Sequence, residues 1–290
     1  MQILVNGIVT GLTVSVLAVA FAIVYLPARV FHVALGGIYA AVPFVAWAIL
    51  RAGWPSGIAF AIALGAGVII SLACEAVNHA PLEKKGGASG AHLVSSLGIY
   101  IAIVQVVALI WGNETKVLRT GLDAVNRIGN VIVTQAQAIA AGVSLAILVA
   151  FYAGLHFSQL GLQLRALADN PKEFALRGYN VRRLRLFAFG ISGFLGGVSS
   201  LLVAYDIGFD PNGGLAAVLL AVVATIVGGR LSFWGPIVGG VLIGIVRSQV
   251  VWYLSARWQA AVTFLILAVF LFVRPNGILG TKARLEAEES

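Results

Sequence analysis

Charge is what this sequence has least of. Only 10% of its 290 residues are Asp, Glu, Lys or Arg, against about 25% in an ordinary soluble domain. Too few charges remain to cover the surface of a soluble fold of this length, and lipid must cover the rest. Cysteine is nearly absent too: Cys74 stands alone, which excludes an intrachain disulfide and a cysteine metal cluster. No Gly-x-x-x-x-Gly-Lys-Ser/Thr loop is present, so the chain carries no phosphate-cradling ATPase motif. Metal-ligand spacings and a Gly-x-Ser-x-Gly elbow are also missing. No catalytic residue and no metal ligand is assigned.

What is abundant is apolar. Hydrophobic residues make up 60% of the chain, mean hydropathy is +0.99, and 34 residues are glycine. Small residues let membrane helices approach closely. Length alone allows two domains, but no polar stretch is long enough to form one. The sequence therefore reads as an all-α integral membrane protein: a single transmembrane domain over 1–280, then a short acidic tail over 281–290. Ala18-Val19-Ala20 resembles a signal-peptidase site. No Lys or Arg precedes it, however, and the apolar run continues to Leu26, so a retained first span is expected.

A spanning helix needs about 20 mainly apolar residues. Candidate spans are 3–26, 30–50, 56–77, 91–112, 131–155, 186–205, 214–228, 234–254 and 259–273, which predicts a polytopic bundle of about eight or nine helices. The second and seventh are candidates for broken or re-entrant helices, which membranes tolerate when protein or a cavity surrounds them. Each begins near a Gly-Gly pair, Gly36-Gly37 and Gly213-Gly214, followed by small residues. That echo fits an internal repeat around a midplane pathway, and fits chance in so Gly-rich a chain.

The formal charge of +8 does not point to nucleic acid, because the basic residues collect in a few loops. Placing the 156–185 loop inside, with Arg165, Lys172, Arg177, Arg182, Arg183 and Arg185, also puts Arg29, Lys84, Lys85, Arg230, Arg274, Lys282 and Arg284 inside. Outside fall Arg51, Lys116, Arg119, Arg127 and Arg257, and Arg247 lies within a span. This is the positive-inside bias, with the N-terminus outside. All six tryptophans lie near proposed span ends, where the indole ring prefers to sit.

The 156–185 loop carries helix-end signals. Asn170 suits an N-cap, Pro171 the first helical position, Glu173 a capping box, and Gly178 the left-handed residue that ends a helix. A two-turn helix over Pro171–Arg177 follows. It is too short to persist alone in water, and Phe174 and Leu176 are expected to be exposed and to meet a partner protein.

This loop, with Val181-Arg182-Arg183 and the Gly-rich Phe189-Gly190-Ile191-Ser192-Gly193-Phe194-Leu195-Gly196-Gly197, resembles the branched-chain amino-acid ABC permeases of the LivH/LivM type. Further matching pieces are Asn6-Gly7-Ile8-Val9-Thr10-Gly11, Ser96-Leu97-Gly98, Val227-Gly228-Gly229, Gly235-Pro236-Ile237-Val238-Gly239-Gly240 and Arg274-Pro275-Asn276-Gly277-Ile278-Leu279-Gly280. The LivH branch is the nearer, since the chain starts directly with a span. The resemblance implies an importer of branched-chain or aliphatic amino acids in the bacterial inner membrane, working by alternating access. It implies a LivM-like sister permease in a heterodimeric pore, two cytoplasmic ATPase subunits that hold ATP and Mg2+, a periplasmic substrate-binding protein and surrounding lipid. No cofactor is implied on this chain. It makes the loop a coupling helix, with Arg165, Ala168, Asp169, Asn170, Pro171, Glu173, Phe174, Ala175, Leu176 and Gly178 at the ATPase contact.

The family's Asn-Phe-Ala-His-Gly-like stretch is replaced here by Val30-Phe31-His32-Val33-Ala34-Leu35-Gly36. The segment borders the expected pathway, to which His32, Ala34, Gly36, Gly37, Gly213 and Gly214 are assigned. The substitution leaves urea, short amides and other small solutes open as cargo. His32 either faces that pathway or sits at the inner interface near Arg29. Arg247 is either functional or an anchor reaching the outer interface, and Glu75 is expected at the inner interface. An ion-coupled secondary transporter is the alternative reading, though the spans hold almost none of the buried acids it would use.

Overall fold

A computed structural model of the chain describes residues 1–119, 125–128, 131–229 and 232–280. The acidic tail 281–290 and Arg230 lie outside the described residues. Seven helices among the described residues are long and apolar enough to cross a membrane. They are α1 (Gln2–Ala28), the run Ser56–Lys84, α5 (Ser89–Trp111), α6 (Gln135–Phe157), α9 (Val181–Asp206), α11 (Gly235–Tyr253) and the run Ala256–Val273. Two shorter apolar helices, α2 (Leu35–Arg51) and α10 (Gly213–Gly229), complete the set. The Ser56–Lys84 run is α3 (Ser56–Ala73), a π-helical turn Cys74–His79 and α4 (Ala80–Lys84). The last run is a short 3-10 turn followed by α12 (Gln259–Val273).

Helix α1 is the centre of the bundle: 78% of its span is buried, against 6% for the last. Around it pack α11, α9, α10 and α6. Lipid tails are as apolar as leucine, so close van der Waals contact rather than hydrophobic transfer must hold such helices together. Glycine provides it. A Cβ on Gly7 would lie 2.8 Å from Ile245 Cα, and one on Gly11 would lie 2.8 Å from Val241 Cα. Gly193 on α9 meets Ser71 and Gly67 of α3 in the same manner.

The two short helices explain the Gly-Gly echo. After α1 the chain turns at Arg29, which is left-handed at φ 54. It then folds back along α1, with Phe31 edge-on to Phe21 at 5.3 Å and to Tyr25 at 5.2 Å. Ala34 N–H donates to Ser96 Oγ at 2.9 Å, and α2 begins beside Tyr100 and Ile103, half-way along α5. The second predicted span therefore starts at Leu35 rather than 30. At the opposite end, Phe209 pairs with Lys116 through two backbone bonds of 2.8 and 2.9 Å. Asp210 Oδ1 then accepts from the Asn212 and Gly213 N–H groups at 2.8 and 3.0 Å, and α10 starts. Gly36 and Gly214 meet backbone to backbone, where a Cβ on Gly36 would stand 2.8 Å from the Gly214 carbonyl oxygen. Two helices entered from opposite ends thus begin against each other inside the bundle.

The fifth span, predicted from 131, starts later because a β-hairpin precedes it, β1 (Val125–Ile128) with β2 (Val131–Thr134). Thr134 Oγ1 accepts from Gln137 N–H at 3.2 Å, and Gln137 Oε1 accepts from Thr134 N–H at 3.3 Å, a full capping box that fixes the start of α6. At the other extreme of the chain, the Arg274–Gly280 motif closes α10. Ile278 N–H donates to Val227 O and Leu279 N–H to Gly228 O, both at 2.9 Å. These bonds satisfy carbonyls the helix end leaves open.

The two sets of basic residues separate as the charge bias requires. Arg29 donates to the Ala168 carbonyl at 3.1 Å, and Arg185 contacts Glu83, so the Arg29, Lys84 and 156–185 groups share one end. Arg51 and Lys116 both lie over the Trp47 ring, at 5.0 and 4.8 Å, at the other.

Candidate functional site

The 156–185 segment holds two helices where one was expected. Ser158 Oγ accepts from Gly161 N–H at 3.0 Å and opens α7 (Gln159–Asp169). Its Leu164 and Leu167 turn inward while Leu160 and Leu162 face out. The signal was present as Ser158 before a Leu164/Leu167 spacing, hidden by the mixed polarity of the other positions.

Asn170 then caps α8 (Pro171–Leu176) by accepting from Glu173 N–H at 3.1 Å. The capping box is half made: the Glu173 carboxylate does not bond back to the cap. Gly178 adopts φ +81 and its N–H closes on Ala175 O at 3.0 Å. The chain passes at once to Asn180, whose Oδ1 accepts from Arg183 N–H at 3.0 Å and starts α9. Each turn of the segment is thus fixed by a named cap, and α8 is joined to a long bundle helix by only four residues, 177–180.

Phe174 corrects the expectation of exposure. It is buried, stacked on Tyr179 at 4.7 Å and 20°, in a cluster with Leu164, Leu167 and Leu184. It anchors α8 to its own chain, and Leu176, 87% exposed, is the apolar residue left pointing away. Asp169, Asn170, Glu173, Ala175 and Gly178 are exposed as well, while Arg165, Ala168 and Pro171 are half-buried. A groove of about 420 Å³ lies alongside, lined by Leu160, Gln163, Tyr179, Asn180, Arg183 and Phe187.

Of the residues assigned to a pathway, Gly36 and Gly214 are in contact, and Ala34 and Gly37 lie within a turn of them. His32, Ala34, Gly36, Gly37 and Gly214 are buried, and Gly213 is half-buried under the Asp210 carboxylate. His32 does not reach the protein surface. It is fully buried, edge-on to Phe189 at 4.8 Å and to His79 at 5.7 Å. Glu75, expected at the inner interface, is 1% exposed within the protein and held by Arg185, with Nε–Oε1 at 2.8 Å and Nη2–Oε2 at 3.1 Å. Sequence spacing hid this pair, because its members stand 110 positions apart. Arg247 donates to Gln259 Oε1 at 3.1 Å and ties α11 to α12.

Residues 3–273 match the model of a family described as the branched-chain amino acid transport system / permease component. The chain is 26% identical over 301 residues to the high-affinity branched-chain amino acid transport system permease protein LivH of Escherichia coli K12, covering 97% of this chain and 95% of that one. It is 26% identical over 295 residues to the permease protein BraD of Pseudomonas aeruginosa, with the same coverage. A solved structure, PsaBC from Streptococcus pneumoniae in complex with Fab, aligns over 95% of this chain and 93% of that one, with a TM-score of 0.53 and 14% identity. That likeness concerns the fold alone.

Proposed function

The chain belongs to the family of branched-chain amino-acid transport permease components, and from that membership we propose how it takes part in import. It is a multi-pass protein of the bacterial inner membrane and the permease component of an ATP-binding-cassette importer. The cargo is a branched-chain or aliphatic amino acid, or a related small uncharged or zwitterionic solute, released to the cytoplasm by alternating access. A LivM-like sister permease completes the pore, two cytoplasmic ATPases supply ATP and Mg2+, and a periplasmic binding protein delivers the solute. The exposed face of α8, with its flanks from Arg165 to Gly178, docks on an ATPase, and the junction of α2 with α10 borders the pathway.

One observation carries this reading. The α8 segment presents Leu176 outward while Phe174, the Asn170 cap and the Asn180 cap lock its base to α7 and α9. A two-turn helix held this rigidly can transmit a push, where a free loop would absorb it. Reconstitution provides the test. Vesicles holding this chain, the sister permease and both ATPases, with the binding protein added, should accumulate leucine only with ATP. The chain alone should neither hydrolyse ATP nor accumulate solute. Uptake by the single chain driven by an ion gradient would replace this account with a secondary transporter.

A further inference from the structure

At the inner end of the bundle, next to the coupling segment, four elements meet around charged and polar side chains that no sequence motif announced. Arg185 stands one turn into α9, nine residues beyond the last residue of α8. Its guanidinium grips Glu75 with two bonds and also contacts Glu83 of α4. The Arg185 and Glu75 side chains are 4% and 1% exposed. Two charges removed from water lose much of what their attraction returns, and well-packed apolar residues often hold a fold as well. Stability alone is a weak reason for such a pair.

Its position supplies a stronger one. Glu75 lies on the π turn Cys74–His79, which brings Cys74, Glu75, Asn78 and His79 all inward. Single π turns in helices recur at functional sites. Asn78 accepts from Ser95 Oγ, and the Nδ1 atoms of His79 and His92 lie 3.2 Å apart, so the turn is also bonded to the start of α5. The other side of His79 faces His32, on the connection that folds back to α2. Both nitrogens of His32, Nε2 of His79 and Nδ2 of Asn78 are buried without a partner. Unsatisfied buried groups raise the energy of the state that contains them. These rings are not arranged to share a metal ion among the described residues.

We propose that Arg185 is the positioning residue that carries displacement of α8 into the pore: through Glu75 it moves the π turn, and through His79 and His32 it moves the connection that ends at the α2–α10 junction. The unsatisfied nitrogens make the packed arrangement one member of a two-state element. A shift of α9 that parts the rings lets water reach them, which offsets the lost packing. The proposal rests on α8 being the ATPase contact.

The test uses the complete transporter in vesicles and reads the ratio of solute accumulated to ATP hydrolysed. Replacing both partners, Glu75→Met with Arg185→Met, removes the charges and keeps the bulk. The pair of changes should leave ATPase association and basal hydrolysis in place and lower the ratio by about 2- to 30-fold, the span seen for substitutions along a coupling route. Arg185→Lys keeps the charge but loses the fork that holds both carboxylate oxygens, and should lower the ratio in the same direction. A wild-type ratio in either variant would overturn the proposal. So would a failure of both to assemble, since the pair would then serve folding. Leu176→Asp separates the underlying reading: if α8 is not the ATPase contact, co-purification survives that change.

Discussion

Gly178→Val is a change whose cost lies almost entirely in the backbone. Gly178 sits at φ +81, and no heavy atom lies within 4 Å of where a Cβ would be built. No clash contributes. The cost is that of forcing an L-residue into the left-handed region, about 1–2 kcal/mol, and higher for a β-branched side chain. That corresponds to about 5- to 30-fold in a local equilibrium. It falls on the bond from Gly178 N–H to Ala175 O at 3.0 Å and on the Phe174–Tyr179 stack at 4.7 Å, the two contacts that close α8. A six-residue helix has no stability of its own to draw on. Membrane insertion should be unchanged, because no span is touched. Uptake and solute-stimulated ATP hydrolysis in the full transporter, at matched expression, should fall by about the same 5- to 30-fold. Gly178→Asn should retain most activity, since Asn tolerates left-handed backbone. Wild-type uptake and ATPase association in Gly178→Val would refute the reasoning and make the segment a passive connector.

Phe174→Ala should loosen the whole segment, since large-to-small changes at buried Phe cost about 3–5 kcal/mol in a full core; limited proteolysis at Arg177 should accelerate, and an unchanged cleavage rate would contradict the burial of Phe174. Neighbouring glycines should behave differently. Gly214→Ala drives a methyl into the Gly36 carbonyl, whereas a methyl on Gly213 meets only the Asp210 carboxylate at 3.4 Å. Thermal unfolding in detergent should show Gly214→Ala destabilised by about 1–3 kcal/mol and Gly213→Ala near wild type. Equal shifts would mean that the two short helices do not touch.

Span number and the ends of α8 were legible because they depend on local rules: run length against bilayer thickness, Asn170-Pro171 at a helix start, and Gly178 at its end. The separation of basic residues between two ends was legible for the same reason, since it needs only charge and alternation. Errors arose where a distant partner decides the outcome. Glu75 precedes Lys84 and Lys85, which mark its end of the bundle, but its burial was not legible, because Arg185 draws it inward and a π turn rotates it there. Phe174 looked exposed because a short helix displays no partner in sequence, and its neighbours Leu164 and Leu184 belong to elements on either side. His32 falls in a connection without periodicity, so nothing local marked its place between His79 and Phe189. The Arg274–Gly280 motif gave resemblance without a role until its N–H groups were seen to close α10.

Thiol chemistry at Leu176 tests the central claim most directly. With Cys74→Ser as background, Leu176→Cys places a reactive group on the exposed tip of α8. In intact cells it should resist a membrane-impermeant maleimide. In inside-out vesicles of the full transporter, a short bifunctional thiol reagent should join it to an ATPase subunit carrying a surface cysteine, in a yield that changes when ATP is added. Labelling from outside the cell, or no ATPase adduct at any cysteine position tried, would contradict the account.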